Sequence, residues 1–314
     1  MVAESAAQTS QSDGGFSVVI GLVSTEDRER ILETLDALRD QHGDHKCEVI
    51  LADRRNDGIS DVIRCDYPEV FVIDCPPATS LTELRTIALE HAVGEFVAVT
   101  EDHCVPSLDW LEAVSAAFRE APEGTVAVGG CVANGVTGRA LDWATFLCEY
   151  GAALAPVDEG PTQSLPGMNV VYRRSVLTAL ERNRLIRGFW ETTVHPELLR
   201  RGMILFSSNR IVMNHCKKFS FRLFARQRFL YSRYFAGTRF ERNQILCRAT
   251  AAVLSVMLPA VLLLRIAGQV WRKRGYKLEF LTALPALGLF VVIWSLGEMV
   301  GYLAGEGDAL SRIE

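Results

Sequence analysis

The chain carries eight cysteines, at 47, 65, 75, 104, 131, 148, 216 and 247, but no Cys-x-x-Cys pair and no zinc-like spacing. That argues against a disulfide framework and fits reduced thiols in a cytosolic compartment. There is no Gly-rich Walker-type loop, which disfavours a nucleotidyl or phosphoryl transferase of that kind. The opening stretch "MVAESAAQTSQSDGG" lacks the basic start and apolar core of a secretory signal, so residues 1–15 read as a disordered tail. No internal repeat is found. Acids are almost missing from one region: between Lys217 and Lys277 stand 14 Lys and Arg against a single acid, Glu241. The net charge of −5 hides this asymmetry. An acidic globule followed by a basic zone suits anionic lipid headgroups. Nucleic acid is disfavoured as a partner, because the basic residues surround apolar segments instead of forming a separate arm.

What is present in quantity is apolar sequence, 49% of 314 residues, enough for a sizeable core. Up to about residue 245 its texture is that of a globular protein. Two apolar segments follow, "ATAAVLSVMLPAVLLL" (249–264) and "FLTALPALGLFVVIWSLGEMVGYLAG" (280–305). The second is long enough to cross a bilayer and the first is marginal. Arg239, Arg242 and Arg248 precede the first segment, and Arg265, Arg272, Lys273, Arg274 and Lys277 follow it. The positive-inside rule places both flanks in the cytosol, and Pro259 permits a bend. The expectation is a re-entrant or interfacial hairpin at 249–267, a span at 280–303, and a tail, 306–314, on the far side. Two ordinary spans are the alternative. The basic-aromatic stretch within 216–248, "FSFRLFARQRFLYSRYF", suits a helix in the headgroup region. Glu298 should face protein or snorkel, since a lipid-facing carboxylate is costly.

Residues 16–215 read as one α/β domain. "FSVVIGLV" (16–23), "CEVILAD" (47–53), "VFVID" (70–74) and "EFVAVT" (95–100) are buried-strand patterns. Between them lie helical patterns, "EDRERILETLDALRDQ" and "LTELRTIALEHAVG", the latter ended by Gly94. "SLDWLEAVSAAFREA" is a further helix with Ser107 as N-cap. "TVAVGGCV" (125–132) is a strand and "RALDWATFLCEYGAAL" a helix. A Pro/Gly loop in "LPGMNVVYRRSVLTAL" leads to a short strand and helix. "TTVHPELLRRG" (192–202) is helical, and "MILFSSNRIVMNH" returns to strand. Strands alternating with helices imply a mostly parallel, Rossmann-like sheet covered on both faces.

Ligands of such sheets bind outside the carboxyl ends of the strands. Asp53 and Asp57 follow the second strand, and Glu101, Asp102 and His103 follow the fourth. Asp53 could accept hydrogen bonds from a nucleobase or ribose. Hard oxygen ligands at 101–103 suit Mg²⁺ or Mn²⁺, and the imidazole tilts the choice toward Mn²⁺. Solvated turn residues at strand exits are the plain alternative.

The order of the pieces resembles the inverting glycosyltransferases of family 2, which have the GT-A fold. The residues that carry the resemblance are "LDALRDQ", "EVILADRRNDGISD", "LRTIALEHAVGEF", "EDHCVPSLDWL" and "LPGMNVVYRRSVL", across roughly residues 16–240. It implies a membrane-anchored transferase acting at the cytoplasmic face. Its donor would be a nucleotide-diphosphate sugar, its acceptor a lipid-linked or other membrane-surface saccharide, and its cofactor a divalent cation. Val23, Ser24, Asp53, Asp57, Arg85 and Asp102 would then meet the donor nucleotide, and Glu101, Asp102 and His103 the metal. Gly167, Asn169 and Trp190 would shape the acceptor or sugar pocket. Of the basic stretch, Gln227 and Arg233 would reach phosphate, with Arg226 and Arg228 left on the interfacial surface. "WETTVHPELLRRG" offers Glu191 as base, with His195 as second candidate. The sequence departs from the family pattern at four places: Asp-x-Asp has become Glu-Asp-His, Thr86 replaces an Asn, Thr192 follows Glu191 where an Asp is usual, and the terminal Gln-x-x-Arg-Trp is only echoed by "RQRFLYSRYFAG". A non-catalytic nucleotide-sugar-binding scaffold is the alternative those departures favour.

Overall fold

A computed structural model describes residues 15–24, 27–241, 243–273 and 275–313. The tail expected at 1–15 falls outside these but for Gly15, as do Arg242 and Arg274. In chain order the elements are β1 (Phe16–Leu22), α1 (Arg30–Arg39), β2 (Cys47–Asp53), α2 (Ile59–Asp66), β3 (Phe71–Asp74), α3 (Leu81–His91) and β4 (Phe96–Thr100). Then come β5 (Cys104–Pro106), α4 (Trp110–Glu120), β6 (Thr125–Asn134), α5 (Ala140–Tyr150), β7 (Gly160–Thr162), β8 (Val170–Arg173), α6 (Arg174–Thr178), α7 (Arg182–Gly188), α8 (Glu191–Arg200) and β9 (Ile204–His215). The chain closes with α9 (Phe221–Arg239), α10 (Ile245–Leu254), a single 3-10 turn, α11 (Leu258–Arg272), α12 (Lys277–Ala304) and α13 (Ala309–Arg312).

Among the described residues the sheet has nine strands in the order β3-β2-β1-β4-β8-β6-β9-β5, with β7 on β9. The first four strands are parallel, as the alternation of elements dictates. The sheet as a whole is mixed, because β8 enters antiparallel to both β4 and β6. Short β5 also runs antiparallel to β9, pairing Cys104 with His215.

Successive side chains of β1 point to opposite faces. Val18, Ile20 and Leu22 enter one core with α1, α4 and α5, while Val19 enters the other with α3 and α8. Ser80 caps α3 by accepting from the Glu83 amide at 3.2 Å. Two expected boundaries move. Gly94 does not end α3; a Cβ there would press on Phe16 and Ser17 backbone of β1, so the glycine serves close approach. Ser107 does not cap α4, which starts behind Asp109 without a side-chain cap.

Two helices, Ile245–Arg272 and Lys277–Ala304, are long and apolar enough to cross a membrane. Yet α12 is also a core element. Phe280, Ala283, Leu287, Phe290 and Val291 join the same buried cluster as β1. Gly297 and Gly301 let α12 close onto α9, since a Cβ at either would overlap α9 atoms. The tail, expected on the far side of a membrane, instead folds back: Arg54 at the exit of β2 donates to the carbonyls of Ser311 (3.2 Å) and Ile313 (2.9 Å).

Candidate active site

The carboxyl ends of β1, β2 and β4 gather the acidic residues in one region, as an open α/β sheet requires. Asp53 is buried and already bonded: it accepts from Ser60 Oγ at 2.5 Å and from the Arg55 amide at 2.8 Å. Arg55, which the sequence reading passed over, sits between Asp53 (3.5 Å) and Asp102 (3.7 Å). It donates to the Ser24 carbonyl at 3.2 Å, and Asp57 lies 3.9 Å away. Ser24, Asp102, His103 and Lys217 line a small cleft at this corner. Val23 is buried behind it.

The Glu-Asp-His run splits into two roles. His103 Nε2 lies 3.2 Å from Glu101 Oε2 and 3.1 Å from His215 Nε2. Ligand atoms of Glu101, His103 and His215 all fall within 4.8 Å of one another. One carboxylate and two imidazoles converging in this way fit a divalent transition ion, Mn²⁺ among them. Asp102 is not in that group; it holds His103 Nδ1 at 2.7 Å, which turns Nε2 toward Glu101 and His215. His215 is a candidate ligand that the sequence-derived set did not include. It closes β9 and reaches the site only because β9 pairs with β5.

Electrostatics follow the same contacts. Burial penalises charge on Glu101, but hydrogen bonding to His103 and the charge of Arg85 hold it well below the usual carboxylate range. Burial likewise opposes a charged His103, yet bonds to Asp102 and Glu101 raise it. His215 is lowered well below the imidazole range by burial and by His103 beside it.

A cavity of about 470 Å³ opens next to Glu101. Glu191, Trp190 and Gly167 line it, with Arg228 and Tyr231 from α9 and Trp294 and Glu298 from α12. Glu191 begins α8, and the preceding Trp190 ring stacks under the Arg85 guanidinium at 5.2 Å. Arg85 ties the two halves together, donating to Glu101 (3.2 Å) and to the Phe189 carbonyl (3.3 Å). Gly167 leaves room for the Glu191 carboxylate, which a Cβ there would displace. Burial raises the Glu191 carboxyl above the ordinary range, as does the charge of Glu101, against the pull of Arg85 and Arg228. Three buried donors on this wall, Arg85 Nε, Arg228 Nε and Trp190 Nε1, have no hydrogen-bond partner among the described residues.

Several expected site residues lie elsewhere. His195, in α8, is buried, with Nε2 2.8 Å from Tyr172 Oη and Nδ1 accepting from the Leu165 amide at 3.4 Å. Burial lowers it to about 4, and it does not line the cavity. Gln227 is buried toward the C-terminus, donating to the Arg312 carbonyl at 3.4 Å. Arg233 donates to the Gly305 carbonyl at 3.2 Å. Neither lines the cavity. The reverse holds for Arg228: it is buried, pairs with Glu149 at 3.1 Å and faces the cavity. Thr86, in place of the family Asn, is spent on the Thr82 carbonyl at 2.7 Å inside α3.

Asn169 is a structural hub. Its Oδ1 accepts from Trp110 Nε1 at 2.9 Å, and its Nδ2 donates to the carbonyls of Cys131 (2.8 Å) and Ile211 (3.2 Å). Asn169→Ala removes all three of these buried bonds. It should lower stability by about 1–3 kcal/mol or more, read as a shifted urea midpoint. An unmoved midpoint would return Asn169 to the candidate pocket residues.

A family model described as "Glycosyl transferase family 2" matches residues 17–180, just over half of the chain. No curated protein matches at the sequence level. Among solved structures, a mannosyltransferase from Pyrobaculum calidifontis in complex with GDP-Man and Mn²⁺ is similar, at TM-score 0.54 and 16% identity. The match covers 92% of this chain and 88% of that one. The first 349 residues of TarS from S. aureus, in complex with UDP, align at TM-score 0.46 and 16% identity, over 91% and 90% of the two chains. The first of these supports the GT-A architecture of the sheet and its helices.

Proposed function

The chain belongs to glycosyl transferase family 2, and from that premise we propose that it moves a hexose from a nucleotide-diphosphate sugar to a lipid-linked or membrane-surface acceptor. The transfer inverts the anomeric carbon, depends on a divalent cation, and takes place at the cytoplasmic face. The observation that carries the reading is the row of unpartnered donors on Arg85, Arg228 and Trp190 beside Glu191. Buried donors left unpaired are costly. An anionic diphosphate would supply the missing acceptors, and its negative charge would meet two guanidinium groups.

Glu191 is the base. Its carboxylate takes the proton of the acceptor hydroxyl as that oxygen bonds to the anomeric carbon, and the bond from that carbon to the diphosphate oxygen breaks. Its raised pKa favours proton uptake, and Gly167 leaves it room. Glu101, His103 and His215 would hold the cation, with Asp102 orienting His103. The cation, when bound, offsets the charge of the departing nucleoside diphosphate. Asp53 and Asp57, with Ser24 nearby, would meet the nucleoside from the β2 side. Acceptor access is supported by the cavity wall, where Trp294 and Glu298 belong to the apolar helix α12. Glu298 faces protein, accepting from Trp294 Nε1 and Tyr302 Oη at 3.1 Å each.

The test is to incubate the full chain, in membranes, with a panel of nucleotide sugars and Mn²⁺. Nucleoside diphosphate should be released with at least one donor and suppressed by a chelator. Tight donor binding with no release from any of them would leave a scaffold.

A further inference from the structure

Both ends of α12 are fastened to the catalytic body. Ahead of its first turn, Lys273 Nζ donates to the carbonyls of Ala152 (2.9 Å) and Leu154, just beyond α5. The Tyr276 ring packs on Trp143 of α5 at 5.9 Å. At the other end the chain runs through Gly305, held by Arg233, to Ile313, held by Arg54 at the exit of β2. Between the two ends, Phe290 stacks edge-on against Phe224 of α9 at 4.5 Å. A helix of 28 residues is about 42 Å long, enough to cross an apolar layer of ~30 Å. Crossing would put its ends on opposite sides of that layer. With both ends bonded to one folded body, it would drag strand exits and loop backbone into lipid, where their polar groups find no partners.

The preceding helical run, 245–272, lies along α12 in the opposite direction. Arg248 Nε donates to the Tyr302 carbonyl at 2.8 Å, and Lys273 fixes the far end. Ala252, Leu262, Ile266 and Val270 turn inward. Leu246, Val253, Leu264 and Trp271 remain more than half exposed, and α12 adds Leu278, Leu289 and Leu303 to the same uncovered class. Arg265, Arg272 and Lys277 are exposed among them. Apolar side chains left uncovered along two whole helices and interspersed with cations match the interior and the headgroups of one leaflet.

We propose that these two helices lie in the plane of the membrane, embedded in one leaflet that carries anionic lipid. Every described segment then stays on the same side as the catalytic cavity. Neither arrangement expected from hydropathy, with one span or with two, satisfies the bonds at both ends of α12. The inference rests on the membrane-surface reading above for its partner, but on packing, not turnover, for its geometry.

Full-length protein carrying an epitope after Gly275 or at the C-terminus is exposed to protease in intact expressing cells and again after permeabilisation. Both epitopes should be cut only under the condition that also exposes the catalytic domain. Cleavage of either one while the domain stays protected overturns the proposal. Because an insertion at Gly275 can disturb the turn, a second measurement stands beside it. The purified full chain should co-sediment with phosphatidylcholine vesicles containing phosphatidylglycerol, and more weakly with phosphatidylcholine alone. The double variant Leu246→Asp, Leu264→Asp should bind the anionic vesicles at least about tenfold less, with unchanged affinity for nucleoside diphosphate. A detergent-free dimer that ignores vesicles, or a variant that binds as wild type, overturns the proposal. Loss of turnover with vesicle binding intact would count against glycosyl transfer alone.

Discussion

Glu191→Gln is expected to bind nucleoside diphosphate as the wild type does and to transfer sugar at least about 100-fold more slowly. The amide keeps the shape of the side chain under Gly167 but cannot take a proton. The same variant should report on the electrostatics of the cavity. Burial raises the folded-state pKa of Glu191 above its unfolded value, so the folded protein favours the neutral acid. As pH rises from the ordinary glutamate range through the raised pKa, the wild type therefore loses stability relative to Gln. Glu191→Gln should melt at higher temperature than wild type at neutral pH, and the gap should close at pH below the ordinary glutamate range. The acid limb of kcat/KM in the wild type should likewise sit above that range. A variant with full activity, or one with no thermal gain at neutral pH, would remove Glu191 as a buried base.

The family pattern singled out Glu191 together with Arg85, Gly167 and Trp190, which line one cavity, but it did not single out Arg228 or Tyr231 on the same wall. The helix 221–239 places consecutive residues on different faces, so a basic-aromatic stretch cannot say which cation turns inward. The structure turns in Arg228, while Gln227 and Arg233 meet the C-terminal segment. Asn169 looked like a pocket residue because a Gly-x-Asn loop says nothing of the Trp110 indole and the two carbonyls it joins. Most of the strand and helix alternation up to residue 120 was readable from local periodicity, but α2, read as the polar exit of β2, and the three-residue β5 were not. Beyond it, β8 inserts antiparallel between β4 and β6, a choice set by long-range pairing. Hydropathy at α12 sums two kinds of apolar residue. Phe280, Leu287 and Phe290 are apolar because they fill a protein core, whereas Leu278 and Leu289 are apolar on the uncovered side. A summed window cannot separate the two.

His215→Ala is expected to cost the most at the metal centre, although nothing in its local sequence marks it. Its Nε2 is one of three ligand atoms converging with Glu101 and His103, and it arrives from a strand end 112 residues away from its imidazole neighbour. Removing a direct ligand should weaken Mn²⁺ binding by more than the roughly 10–100-fold typical of losing a supporting residue. Asp102→Asn supplies the contrast. Asp102 holds His103 Nδ1 at 2.7 Å and thereby its orientation, so that variant should fall within about 10–100-fold. Mn²⁺ titration followed by electron paramagnetic resonance reads both without any need for turnover, and calorimetry with nucleoside diphosphate reads the linked loss of donor affinity. Equal losses in the two variants would make Asp102 a ligand in its own right. Unchanged Mn²⁺ affinity in His215→Ala would dissolve the three-residue centre and return metal binding to the 101–103 run alone.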